Sequence, residues 1–180
     1  SDNQKERLKL VLKDFISDFF VSTLDHHSLV AAGLEYSLMA ELLHRSKAQV
    51  RLMILKILEI LLHQKVVVSI EKALITKNPR LISNALELFE NLWDKKQVRS
   101  LIYLLHSQSP EEDLEMAKNF TGRDVPEVGE VISVHLHPKN PRWNICAALM
   151  LLQEYRTMGH IYEVEDNGLF LDHKDPLVKE

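Results

Sequence analysis

Asn78-Pro79-Arg80-Leu81-Ile82-Ser83-Asn84-Ala85-Leu86-Glu87-Leu88-Phe89-Glu90-Asn91-Leu92-Trp93 is the stretch that decides the fold. Its opening triplet returns as Asn140-Pro141-Arg142, 62 residues on, and Ser109-Pro110-Glu111 stands midway, 31 residues from each. Asp175-Pro176 follows at a further 35, and a proline-free version, Ser46-Lys47, lies 32 residues before the first. A small polar residue before proline reads as a helix start. The side-chain oxygen accepts from free backbone N–H groups, and proline suits the first helical position, where its nitrogen owes no bond. Starts near 46, 78, 109, 140 and 175 leave room for two helices and two turns per unit, the signature of a stacked helical repeat.

Within the quoted stretch, Leu81, Ala85, Leu88 and Leu92 form one apolar stripe, and Ile82, Leu86, Phe89 and Trp93 form the next. Two adjacent stripes predict a helix buried on two sides, as an interior repeat helix must be. Only Arg80, Ser83, Asn84, Glu87 and Asn91 remain on a narrow wet edge. The helix after Pro141 repeats the pattern with Trp143, Ile145, Ala147, Ala148, Met150 and Leu151.

Working outward, the spacing of Leu8, Val11, Leu12, Phe15, Ile16, Phe19 and Phe20 predicts a helix over 4–24. Further helices are expected over 28–44 and 47–63, the latter striped by Val50, Met53, Ile54, Ile57, Leu58, Leu61 and Leu62, then over 67–76. Past the quoted stretch come 95–106 and 111–120, a break at Thr121-Gly122-Arg123-Asp124, and a helix from Pro126 to near His137-Pro138. Gly159, Asn167 and Gly168 interrupt the pattern in 158–173, where a strand-like piece or an irregular loop is expected.

The composition fits an all-α chain. Apolar residues make up 46% of 180, while glycines number only 5, too few for a sheet protein with many tight turns. The single cysteine, Cys146, excludes an internal disulfide and lies in an apolar stretch beside Ala147 and Ala148, as a buried inert thiol would. Residues 1–14 alternate charge and leucine rather than forming a signal peptide. No apolar run reaches the roughly 18 residues of a membrane span.

The net charge of −4 is unevenly spread: 1–107 carry 15 Lys+Arg against 12 Asp+Glu, and 108–180 carry 7 against 14. An acidic half repels phosphate backbones and the other half is too weakly basic for a nucleic-acid footprint. The polarity suits orientation of a protein partner.

The candidate chemistries are thin. His26-His27 are adjacent and His135 and His137 are two apart, so neither pair shares a helix face, whereas zinc ligands on a helix stand three or four positions apart. His44, His63, His106 and His137 read as solvated or capping residues near helix ends. Glu111-Glu112-Asp113 fit the first turn after Pro110, where the helix dipole favours negative charge; Glu163, Glu165 and Asp166 form a second acidic group. Thr121-Gly122-Arg123 lacks the length and lysine of a phosphate loop. No catalytic residues, metal ligands or cofactor follow from these patterns.

Ala73-Leu74-Ile75-Thr76-Lys77-Asn78-Pro79, followed by Asn84-Ala85-Leu86-Glu87-Leu88-Phe89-Glu90-Asn91-Leu92, resembles the HEAT-like repeat segment of bacterial proteins that carry an ADP/ATP-carrier-like or major-facilitator membrane domain upstream. Those segments read alanine-leucine, a short polar stretch, Asp-Pro, then Asn-Ala-Leu-Glu-Leu-Leu-Asp-Asn-Leu. Pro141-Arg142-Trp143-Asn144-Ile145-Cys146-Ala147-Ala148-Leu149 resembles the next repeat, and Leu171-Asp172-His173-Lys174-Asp175-Pro176-Leu177-Val178-Lys179-Glu180 the start of the one after. The likeness is best over 66–107 and 138–180, while 109–135 diverge. It implies an armadillo-type, right-handed α-α superhelix of about four to five helix pairs. It also implies a cytoplasmic helical domain, or one on the cytosolic face of a membrane-anchored parent, acting as scaffold or regulator.

The expectation is therefore one helical-repeat domain over 1–180 that binds a protein or a neighbouring domain of the same chain, without catalysis, nucleic acid or membrane insertion. A chain that closes one turn into a new unit, at Asp175-Pro176-Leu177-Val178-Lys179-Glu180, is further expected to be a segment of a longer protein. Arg80, Asn84, Glu87 and Asn91 are the candidate partner-binding residues. The alternative is the soluble regulatory arm of a membrane transporter. A more remote alternative, a HEAT-like DNA-repair enzyme, needs a basic groove that the acidic C-terminal half opposes.

Overall fold

The computed structural model describes residues 2–62, 66–68, 72, 76, 80, 83–84, 87, 95–106 and 109–162. Every regular element among the described residues is an α-helix. Those with described bounds are α1 (Asp2–Ala31), α2 (Leu38–Leu62), α3 (Lys95–His106), α4 (Pro110–Thr121), α5 (Val128–His135) and α6 (Arg142–Thr157). None is long and apolar enough to cross a membrane.

The first helix boundaries differ from the pattern reading. No break separates 4–24 from 28–44; α1 runs unbroken to Ala31. It stops at Gly33, whose φ of +76° is open to glycine at no steric cost. Gly33 N–H donates to Val30 O at 3.1 Å, and Leu34 N–H donates to Leu29 O at 2.8 Å. That is the Schellman arrangement, and it comes with the expected apolar contact, because Leu29 and Leu34 both sit in one buried cluster. Ser37, not Ser28, then caps α2: its hydroxyl accepts from Ala40 N–H at 3.2 Å. Ser46 lies inside α2, so no helix starts there.

Two later starts fall where the repeat stride places them. Ser109 caps α4 by accepting from Glu112 N–H at 3.2 Å, with Pro110 in the first turn and Glu111, Glu112 and Asp113 at the positive end of the dipole. At 140 the position is right and the chemistry is reversed. Asn140 does not cap α6; its amide donates backward, to Val134 O at 2.7 Å and His135 O at 3.2 Å, and so satisfies the end of α5. Pro141 itself occupies the N-cap of α6 and makes no side-chain bond. The expected starts near 78 and 175 lie outside the described residues.

The chain divides into two compact units, Ser1–Thr23 with Ser46–Arg123, and Leu24–Arg45 with Asp124–Glu180. In the first unit α3 packs on α4, and Leu12, Ile16, Phe19, Phe20, Ile54, Ile57, Leu58, Val67, Val98, Leu101, Leu104 and Ala117 are buried. The Phe20 and Phe120 rings meet at 4.9 Å between centroids. In the second unit α5 packs on α6 around a cluster that includes Leu29, Met39, Leu43, Val131, Ile132, Ile145, Ala147, Ala148 and Leu151. Burying each large aliphatic side chain contributes about 1.5–3 kcal/mol relative to leaving it in water. The α6 stripe is narrower than the pattern implied: Trp143 and Met150 are exposed, and the Arg142 guanidinium lies 5.2 Å from the Trp143 ring.

Candidate functional site

Arg80, Asn84 and Glu87 are helical, exposed positions; Asn91 lies outside the described residues. Lys72, Thr76 and Ser83 are also helical and exposed. Arg80, Asn84 and Glu87 are spaced by four and three residues, the steps that share a face wherever a helix is continuous. Thr76 turns its hydroxyl inward, donating to Lys72 O at 2.8 Å. These exposed positions carry ammonium, guanidinium, amide and carboxylate groups, a set that recognises complementary polar groups rather than apolar surface.

The second unit holds a polar pair that the sequence reading missed. Asp25 on α1 is buried, and its Oδ2 lies 3.1 Å from Nε2 of His135, in the last turn of α5. The contact with a carboxylate oxygen assigns the donated proton to Nε2. Both side chains are nearly sealed, at 11% and 13% exposure, so the bond fixes α1 against α5 in a medium where hydrogen bonds are strong. Nearby along α1, the His26 ring lies 6.1 Å from that of His44, an exposed residue in the second turn of α2.

The first unit holds a different polar cluster. Lys47 and Arg51 on α2 both approach the Phe19 ring, at 6.0 and 5.8 Å from its centroid. Burial lowers the Lys47 ammonium below its ordinary range, against the pull of Asp113 and with the push of Arg51. Tyr103 on α3 is raised, first by burial, then by the negative charge of Asp113 and Glu112, by the approach of its hydroxyl to the Asp113 carboxylate and by the charge of Glu115. Asp113 lies close enough to act on that phenol, yet the Tyr103 hydroxyl, sealed from solvent, makes no hydrogen bond of standard geometry; nor does Arg51 Nε.

Cys146 is half-buried against the core of the second unit. Among the described residues no three His, Cys, Asp or Glu side chains come together as a metal site would require. His106 ends α3, and His137 Nδ1 accepts from Lys139 N–H at 3.3 Å just past α5. Comparison with protein-family models, with curated proteins and with solved structures finds no match to this chain.

Proposed function

We propose that the chain is a non-catalytic helical scaffold whose polar edge, Arg80, Asn84, Glu87 and Asn91, docks a protein or a neighbouring domain of the same polypeptide. The reading is carried by the exposure of Arg80, Asn84 and Glu87 together with Lys72, Thr76 and Ser83, all at helical positions. Side chains of mixed charge on one line orient a partner and set its register, and charge-assisted bonds to Arg80 and Glu87 would supply specificity. The right-handed superhelix belongs to the same proposal. It is supported by the stride of helix starts at Ser109 and Pro141 and by the pairing of α3 with α4 and of α5 with α6. The likeness of 73–92 to transporter-associated repeats makes the neighbouring domain the first partner to test.

The test uses the triple variant R80A/N84A/E87A. In crosslinking on the native protein, the variant is expected to lose crosslinks to its protein partner or neighbouring domain at least tenfold, with an unchanged melting temperature. An equal loss of thermal stability, or crosslinks that persist, would refute the assignment of this edge.

A further inference from the structure

After α6 the chain turns back on itself. Gly159 adopts a φ of +90°, Gly159 N–H donates to Arg156 O at 3.0 Å, and His160 N–H donates to Tyr155 O at 3.4 Å. This is the Schellman pattern again, here sealed by stacking of the His160 ring on Tyr155, at 4.2 Å between centroids and 11° between planes. Two residues later the chain has a second anchor. The Tyr162 ring lies over Gly129 in the first turn of α5, where an added Cβ would stand 2.5 Å from Cε2 of that ring. The Tyr162 hydroxyl pairs with Oγ of Ser133, and its carbonyl accepts from Arg156 Nη2 at 3.0 Å. Between the anchors, Ile161 is 93% exposed.

We propose that Tyr162 is a releasable latch: its ring fills a slot that Gly129 leaves open on α5, and Ile161 and Tyr162 swing out of that slot without unfolding the unit. Three features separate the latch from the core it touches. Its hydroxyl partner, Ser133, is solvent-exposed, so water competes for the bond and opening is cheap. The His160 stack and the Gly159 turn hold the end of α6 independently, so release stops at Ile161. The buried cluster of the unit closes on Val131, Ile132, Ile145, Ala148 and Leu151, with Tyr162 only packed against its edge. Opening also frees the Arg156 guanidinium, which lines a shallow groove of about 440 Å³ along α6 with Leu149, Leu152, Gln153 and Thr157.

The experiment is residue-resolved NMR with thermal melts on the full chain and on G129A and Y162F. In G129A the new methyl evicts the ring while alanine favours the helix more than glycine does. Ile161 and Tyr162 are therefore expected to move to random-coil shifts, with Ile132 and Leu151 unmoved and the melting temperature held or raised. In Y162F the open population rises about fivefold, the effect of losing one hydrogen bond. Shifts of Ile161 and Tyr162 that stay native in G129A would overturn the latch. A fall in melting temperature with changes spreading to Ile132 and Leu151 would also overturn it, because Tyr162 would then belong to the core.

Discussion

The two units share satisfied polar groups, such as Thr23 donating to Phe19 O at 2.8 Å in the first, but differ in what else they do with polar side chains. The second pairs them: Asp25 meets His135, Ser37 caps α2, and Asn140 reaches back to the carbonyls of α5. The first seals Tyr103 Oη and Arg51 Nε from solvent without a standard hydrogen bond for either, and it desolvates Lys47 against an aromatic ring. A buried polar group that is satisfied fixes one arrangement of helices, whereas an unsatisfied one costs free energy that an apolar side chain would not. Both units rest on buried aliphatic packing, and the second adds a buried carboxylate–imidazole bond between α1 and α5.

The largest effect should come from Asp25. Truncating it to alanine leaves the His135 ring buried with no acceptor, at a cost of about 2 kcal/mol in urea unfolding. Asp25→Asn keeps an oxygen for Nε2 to bond and should cost less than half as much. If the two variants were equally destabilised, the hydrogen bond would not be what holds α1 to α5, and the contrast between the units would collapse on its stronger side.

Tyr103→Phe tests the other side, and its expected sign is opposite. Removing a sealed hydroxyl that lacks a good bond should leave stability unchanged or raise it by about 1 kcal/mol. A loss of that size would mean that Asp113 does accept the phenol proton. Alkaline pH sharpens the result. Because the folded protein holds the Tyr103 proton more tightly than the ordinary value of 10.0, stability falls as pH rises above that value. Lys47 acts the other way, since its lowered value makes the unfolded chain bind more protons below 10.5, so stability rises with pH through that window. Melting curves between about pH 9 and 11 should therefore fall less steeply for Tyr103→Phe than for the native chain.

How much of this was legible depends on what each residue signals locally. The cap at Ser109 was readable because a hydroxyl, a proline and three acids act within one turn, and the structure keeps all of them in those roles. Asn140 was half readable: the stride marked the place, but whether an amide serves the helix behind or ahead depends on backbone direction, which spacing does not carry. Ser28 and Ser46 misled because serine is tolerated inside helices, as both are here, and the true end of α1 was announced by Gly33. Placing that end too early hid Asp25. Inside a helix it follows Leu24 on the buried side of α1, whereas between helices it looks like an ordinary loop acid. The partner, His135, lies 110 residues away, a distance over which no periodicity speaks.

The smallest effect belongs to Asp18, and it decides whether the first unit's tolerance of poorly placed polar groups reaches its surface. Its carboxyl is raised above the ordinary 3.8, first by partial burial and then by the neighbouring charge of Asp14 one turn earlier. The residue is nonetheless exposed, so water screens most of the penalty, and the energetic consequence is a few tenths of about 1 kcal/mol. With a raised folded value, the native state binds the proton more tightly, and stability from this group is lost as pH climbs through 3.8 and just above. Asp18→Asn should therefore raise the melting temperature slightly at neutral pH and leave it unchanged near pH 3, where both states are protonated. A loss at neutral pH would show that the carboxylate makes a favourable contact that offsets its repulsion from Asp14, and poorly placed polar groups in the first unit would then be confined to Tyr103 and Arg51.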